Sequence, residues 1–501
     1  MNSQKQIKFG AVISYAAVFI NIIATLIYTP WMVAQIGQSN YGLYTLATSL
    51  ISLFLVDFGI SSATSRFLSK YRAEGKQKEI EQLLGATYKL FLGLDLLLLI
   101  AVSIVYIFMG DIYAKLNPSE LQTFKILFII VAGFNLISFP TMPLNGILTS
   151  YEKFIQLKVC DLFRKLFTIA LVVVALLFNM GVVAVVLANA VAGTITILIK
   201  LIIIKAQIGV KASFRSSGKG IYRMIFGFSI WITLISFAQK FIYNMASSVL
   251  GIVSGSIAIA IFAPASSIGS YYYTFAEAIN GLFLPTISRK IASNREDEIT
   301  PLMIKVGRFQ MFVLGWLFVG FICVGKEFMV LWMGPDYVMS YYCTILVLFP
   351  ALLEYSQQIG KTTIIAKNLV KWQAIGFCII GVVTLGLSFL LGYFLGALGV
   401  CVSICIAGCA NVVWQSYIFS HKLNIDMKAF YKKCYLPAFL PIAASVVLGI
   451  FLLSLISHTG WLYLVIKAII VSAIYLLLFF LFGTNRDGKR QILEKLKLHR
   501  S

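Results

Sequence analysis

The residues best placed to do chemistry lie inside strongly apolar stretches. Between residues 224 and 248, Ser229, Thr233, Ser236, Lys240, Asn244 and Ser247 recur every three or four positions, so they share one face of an α-helix. Their hydroxyl and amide groups can exchange hydrogen bonds with a polar ligand or with a neighbouring helix. An ammonium at that depth is costly unless it meets water, an acidic partner or an anionic ligand. Ser14, Asn21, Thr25 and Tyr28 follow the same rule in the first apolar stretch, and Ser266, Ser270, Tyr273 and Glu277 follow it in the eighth. Glu277 is a candidate partner for Lys240. Glu354, Gln358 and Lys361 stand at i, i+4 and i+7, either as a self-satisfied pair or as part of a wet cavity. Asp57, Glu277 and Glu354 are three carboxylates lying within apolar runs. Lys467 lies inside the last apolar stretch with no partner evident from its spacing. Polar faces of this kind line a cavity or bind helices to one another, and Ser and Thr serve both purposes.

The elements that must hold these residues follow from composition. Of 501 residues, 60% are hydrophobic and 12% charged, and the mean hydropathy is +0.91. Soluble proteins carry about 45–50% apolar and about 25% charged residues, so the excess apolar surface must face lipid. A soluble enzyme and a large water-exposed module are thereby excluded. Fourteen apolar runs approach the roughly 20 residues that a spanning helix needs. They cover 9–34, 42–62, 86–109, 124–148, 160–180, 182–204, 224–248, 256–281, 303–325, 341–365, 373–395, 398–418, 436–457 and 461–483. Gly and Pro punctuate them without the ten-residue alternation of a barrel, so the fold class is all-α, a polytopic membrane protein.

Net charge is +22, with 41 Lys and Arg against 19 Asp and Glu. The basic residues cluster in alternate connections, as topology signals do, and suggest no nucleic-acid partner. They include Lys70, Arg72 and Lys76, then Lys153 and Lys158, then Lys211 and Lys219, and a tail rich in Lys and Arg. This places both termini on the cytoplasmic side. Cysteine labelling should therefore find 67–83, 211–220 and 485–501 inside and 111–120 and 328–338 outside. A tail labelled from outside would reverse the assignment. The tail itself reads as a basic, amphipathic segment suited to the anionic leaflet.

Three weak matches recur in order. Gly181 opens a segment similar to the one opening at Gly399, Ile27 and Tyr28 recur as Ile242 and Tyr243, and Ser65 and Arg66 recur as Ser288 and Arg289. They imply two pseudo-symmetric six-helix lobes plus two C-terminal helices. The expected divisions are 1–210, 211–425, 426–484 and a basic cytoplasmic tail at 485–501. Repeats of even helix number enter the membrane in parallel, and such transporters place substrate between the halves. The register sets Ser14 on Ser229, Asn21 on Ser236 and Thr25 on Lys240. Cys401, Cys405 and Cys409 share a helical face and read as small packing residues. No nucleophile triad, phosphate-binding glycine loop or cofactor motif is present in the sequence.

Residues 36–76 resemble the early signature of Wzx-type polysaccharide-biosynthesis flippases of the multidrug/oligosaccharidyl-lipid/polysaccharide exporter superfamily. The matching residues are Gly37, Tyr41, Gly42, Leu43 and Tyr44, then Asp57, Phe58 and Gly59, then Arg66. The resemblance implies a bacterial inner-membrane protein that moves an undecaprenyl-diphosphate-linked oligosaccharide between leaflets for O-antigen or lipopolysaccharide assembly. It further implies alternation between inward-open and outward-open states, with Lys240 and Arg66 as cavity cations for the diphosphate. Many relatives carry an acid where this chain has Asn244, which departs from the pattern if that acid couples an ion. A small-molecule or drug antiporter of the same superfamily is the alternative, and would use one of the three carboxylates for proton or sodium coupling. A membrane-embedded glycosyl polymerase is a further one, disfavoured by outward connections of only about fifteen residues.

Overall fold

The computed structural model describes residues 3–56, 58–214, 219–280 and 283–483, with side chains from 19 onward except at 62, 219, 223–232, 243, 278–280 and 284–285. Among the described residues every regular element is helical and no strand occurs. The reason is physical: hydrocarbon offers backbone groups no partners, and a helix satisfies them within itself. Each of the fourteen apolar runs falls on a helix or a helix pair, and among the described residues ten helices are long and apolar enough to cross a membrane. The protein is an all-helical, multi-pass membrane protein.

The chain forms two compact units, Met1–Ala260 and Ile261–Ser501. The first holds α1 (Ser3–Ile36), α2 (Gln38–Phe54), α3 (Ile60–Ala73), α4 (Gln77–Ile107), α5 (Met109–Ile112) and α6 (Pro118–Ser138). It continues with α7 (Pro143–Ser150), α8 (Phe154–Leu177), α9 (Gly181–Gln207), α10 (Lys219–Tyr243), α11 (Met245–Val253) and the start of α12 (Ser256–Asn280). The second holds the rest of α12, then α13 (Leu284–Ala292), α14 (Ile299–Met333), α15 (Val338–Ser356) and α16 (Gln358–Ala366). After these come α17 (Val370–Leu395), α18 (Ala397–Lys422), α19 (Met427–Phe430), α20 (Leu436–Ser454) and α21 (Trp461–Leu478). The seventh apolar run, α10, thus packs with the first unit, against α2, α3 and α4.

Each unit repeats one packing scheme. In the first, α3 packs on α7, α4 on α6, α6 on α9 and α8 on α9. In the second, α13 packs on α16, α14 on α15, α15 on α18 and α17 on α18. The last two helices lie against α14. There Tyr475 donates to the carbonyl of Phe312 at 3.0 Å, and Lys467, unassigned by its spacing, meets Glu327 at 2.6 Å.

Several spans are broken, and each break frees carbonyls that need a donor. Pro140 and Pro143 interrupt the run from α6 to α7, because proline lacks the N–H a helix requires. Between α2 and α3, Phe58 and Gly59 take left-handed φ values of 51° and 66°. Glycine accepts that conformation freely, whereas phenylalanine is strained in it. Between α15 and α16, Tyr435 donates to the carbonyl of Leu353 at 2.9 Å and accepts from Gln357 Nε2 at 3.1 Å. Tyr435→Phe should cost about 1–2 kcal/mol by leaving those groups short of a partner. A lowered unfolding midpoint in detergent would register it, and an unchanged midpoint would remove this brace.

Candidate functional site

The site in the first unit is built around the break after α2. Lys240 lies in the last turn of α10 and Asn244 directly follows that helix, one turn on, and the two side chains reach the same place on α2. Lys240 Nζ donates to the carbonyls of Ser52 at 2.8 Å and Leu55 at 2.5 Å. Asn244 Nδ2 donates to Ser52 Oγ at 2.9 Å. A cation at a helix C-terminus meets both the orphan carbonyls and the negative end of the macrodipole. Backbone oxygens at the end of α2 are thus among the partners of the lysine that its spacing marked as needing an acid, water or an anion. Helix α10 itself ends beside this point, where Asn244 N donates to Lys240 O at 2.8 Å before α11 begins.

Other expected positions are dispersed around this core. Thr233 is buried, Ser236 half-buried and Asn21 exposed, while Thr25 Oγ1 turns back to the Asn21 carbonyl at 2.8 Å. Arg66 lies on α3 with an exposed side chain. The side chains of Ser14 and Ser229, and Asp57 altogether, lie outside the described residues. Spacing alone missed a second polar cluster in this unit. Lys200 on α9, 9% exposed, donates to Asp161 Oδ1 and Asn145 Oδ1, each at 3.0 Å. A lysine near the end of an apolar run was its only signal.

In the second unit the carboxylates are engaged. Glu354, buried on α15, accepts at one oxygen from Lys361 Nζ at 2.6 Å and from Asn411 Nδ2 at 2.9 Å. Gln415 Nε2 extends the chain to Asn411 Oδ1 at 3.2 Å. The i, i+7 pair thus forms although the helix breaks at Gln357 between its members. Glu277 accepts from Gln358 Nε2 at 2.9 Å. Tyr273, about half exposed, lies 5.5 Å from the Tyr355 ring, and Lys361 lies 5.9 Å from the same ring. Ser266 and Ser270 are exposed on α12, with Ser270 Oγ donating to the Ser266 carbonyl at 3.0 Å. Such a set can hold hydroxyl-rich matter, and an internal lysine neutralises its one deeply buried acid. Among the described residues no group of three or more His, Cys, Asp or Glu is arranged to hold a metal.

A family model for "polysaccharide biosynthesis protein" matches residues 8–289, more than half of the chain. The chain belongs to the polysaccharide biosynthesis protein family. The matched stretch contains the α2–α3 break, Arg66, Lys240 and Asn244, so the site of the first unit lies wholly within the family's part. Solved structures extend the likeness in fold to most of the chain. An inward-closed lipid II flippase MurJ superposes with a TM-score of 0.69 at 18% identity, over 94% of this chain and 98% of that one. An inward-facing multidrug resistance MATE family transporter of the MOP superfamily gives 0.66 at 12% identity, over 84% of this chain and 99% of that one. A eukaryotic MATE transporter gives 0.61 at 14%, over 86% and 100%. No curated protein matches the sequence.

Proposed function

We propose that this family member is a flippase that carries an undecaprenyl-diphosphate-linked oligosaccharide across the bacterial cytoplasmic membrane for surface polysaccharide assembly. The observation that carries the reading is the cation of Lys240, held with Asn244 at a helix break inside a membrane-spanning unit of this family. A lipid-linked sugar has an anionic diphosphate that needs a cation, a glycan that needs hydroxyl and amide partners, and a tail that can stay in lipid. Lys240 and Arg66 serve the diphosphate; Asn21, Thr25, Thr233, Ser236, Asn244, Ser266, Ser270 and Tyr273, together with Ser14 and Ser229, serve the glycan. Transport runs by alternating access with both termini in the cytoplasm, and it forms no covalent bond.

Drug antiport is the second reading, favoured by the MATE-like fold and by the buried Glu354. Against it, that carboxylate already holds an internal ammonium at 2.6 Å. Two assays separate the readings. Proteoliposomes loaded with a fluorescent undecaprenyl-diphosphate oligosaccharide should expose it to an external quencher only when the protein is present. Proton- or sodium-driven efflux of a dye, with no movement of the lipid-linked sugar, would replace the flippase reading with antiport.

A further inference from the structure

We propose that the side of α8 bearing Asp161, Arg164, Lys165 and Thr168, with Lys200 and Asn145 beside it, is a water-filled recess of the first unit that reads a carboxylate-bearing sugar. This rests on the flippase reading for its substrate and deepens it by naming the glycan class, acidic rather than neutral. At about 100° of rotation per residue, the four α8 residues fall on one side of the helix. Val159, Phe163, Leu166, Val174 and Leu177, 38–69% exposed, fall on the opposite side. An exposed, wholly apolar side is the one that meets lipid. The polar side therefore faces away from lipid, yet Asp161 and Arg164 on it are exposed, and such exposure means water. Further along that side Val172 and Leu176 are buried, so the recess stops short of the Leu177 end.

Depth and chemistry select the occupant. Arg164 stands near the middle of its span, about 15 Å from the start of α8 and about 20 Å from its end. Its guanidinium lies 5.6 Å from the centroid of the Phe134 ring. That ring rests on Gly193, itself midway along α9, where an added β-carbon would lie 2.2 Å from Phe134 Cζ. A cation held at this level is out of reach of leaflet headgroups and needs water or an anion. The acid nearest to it along the chain is taken, since Asp161 Oδ1 holds Lys200 Nζ at 3.0 Å. A guanidinium fork matches a carboxylate through two parallel N–H···O bonds. About one turn towards the start of α8, the Asp161 side chain is 48% exposed and Asn145 is exposed as well. A carboxylate and an amide there can pair with sugar hydroxyls as acceptor and donor. The same aspartate repels a diphosphate, which brings several negative oxygens at once, and tolerates a sugar whose single carboxylate sits a turn away.

Two undecaprenyl-diphosphate disaccharides, one ending in glucose and one in glucuronate, test this when supplied in equal amounts to proteoliposomes of the full chain. The wild type should move the glucuronate lipid faster by about tenfold or more, the discrimination that a hydrogen-bonded charge pair gives. Arg164→Gln should bring the glucuronate lipid down to the rate of the glucose lipid and leave the glucose lipid unchanged. Arg164→Lys should keep part of the preference, because the charge stays while the fork is lost. Equal rates for the two lipids in the wild type would overturn the acidic-sugar subsite and leave the flippase reading standing. Movement of neither lipid would overturn the flippase reading and this one with it. An Arg164→Gln variant that slows both lipids alike would make the arginine structural and overturn its role in selection. The wet recess has its own test, independent of transport. A water-soluble methanethiosulfonate reacts with thiolate, so it should label Thr168→Cys above the background of the parent chain and leave Leu166→Cys on the lipid side at background. An unlabelled Thr168→Cys, or equal labelling of the two, would overturn the recess.

Discussion

Lys240→Ala is expected to lower glycan delivery to the outer leaflet by roughly a hundredfold, equivalent to about 2.7 kcal/mol in rate terms, while the protein still inserts and accumulates. Two consequences of one substitution combine. The diphosphate loses its cation, and the carbonyls of Ser52 and Leu55 lose the donor that Nζ supplies at 2.8 and 2.5 Å. Lys240→Arg should retain much of the activity, because a guanidinium carries the charge and its fork can span two acceptors. Delivery is measured in cells lacking their own flippase, beside a membrane-fraction control for expression. Full delivery by the alanine variant would discard the lysine's role. Pairing with Glu277, the acid its spacing first suggests, makes a different prediction: adding Glu277→Gln should then restore delivery. Glu277 accepts from Gln358 at 2.9 Å, and absence of rescue in the double variant would set the ion-pair reading aside.

The largest loss of stability is expected from Lys361→Met. Lys361 and Glu354 are 12% and 7% exposed at their side chains and meet at 2.6 Å. Removing one member of a buried pair typically costs about 3–5 kcal/mol, because the other charge stays behind without compensation. Asn411 still donates to the same carboxylate oxygen at 2.9 Å, which softens the loss without neutralising the charge. The double variant Lys361→Met with Glu354→Gln should recover most of the stability, since a neutral amide can accept from Asn411. Thermal unfolding in detergent reads both variants. The same double variant also bears on ion coupling. Retained transport would show that Glu354 is a structural acid, and loss of transport in a well-folded double variant would make it a carrier. A single variant as stable as the wild type would end the argument for a buried pair.

Composition and run length were enough to establish the helical, membrane-spanning class, because the need to hide backbone from lipid acts on every residue of a span alike. The fourteen runs were legible for the same reason; of the three faint matches, Ser65 with Ser288 and Gly181 with Gly399 fall on α3 and α13 and on α9 and α18, whereas Tyr28 and Tyr243 both fall in the first unit. Residue spacing also put Lys240 on one face with Thr233, Ser236 and Asn244, and Glu354 in line with Lys361. What it could not supply was the partner. Lys240 lies 188 residues from Ser52 in the chain, and no periodicity connects a side chain to a carbonyl freed by a break in another helix. Pro140 and Pro143 mark the α6–α7 break in the sequence, whereas the α15–α16 break at Gln357 carries neither Gly nor Pro. Lys467 found Glu327, and Lys200 found Asp161 and Asn145, only when separate spans packed side by side. Local sequence determines which residues must avoid lipid, because that cost is paid residue by residue. Which of them meet is decided by tertiary packing, where a buried charge takes whatever donor or acceptor the neighbouring helix brings within about 3 Å.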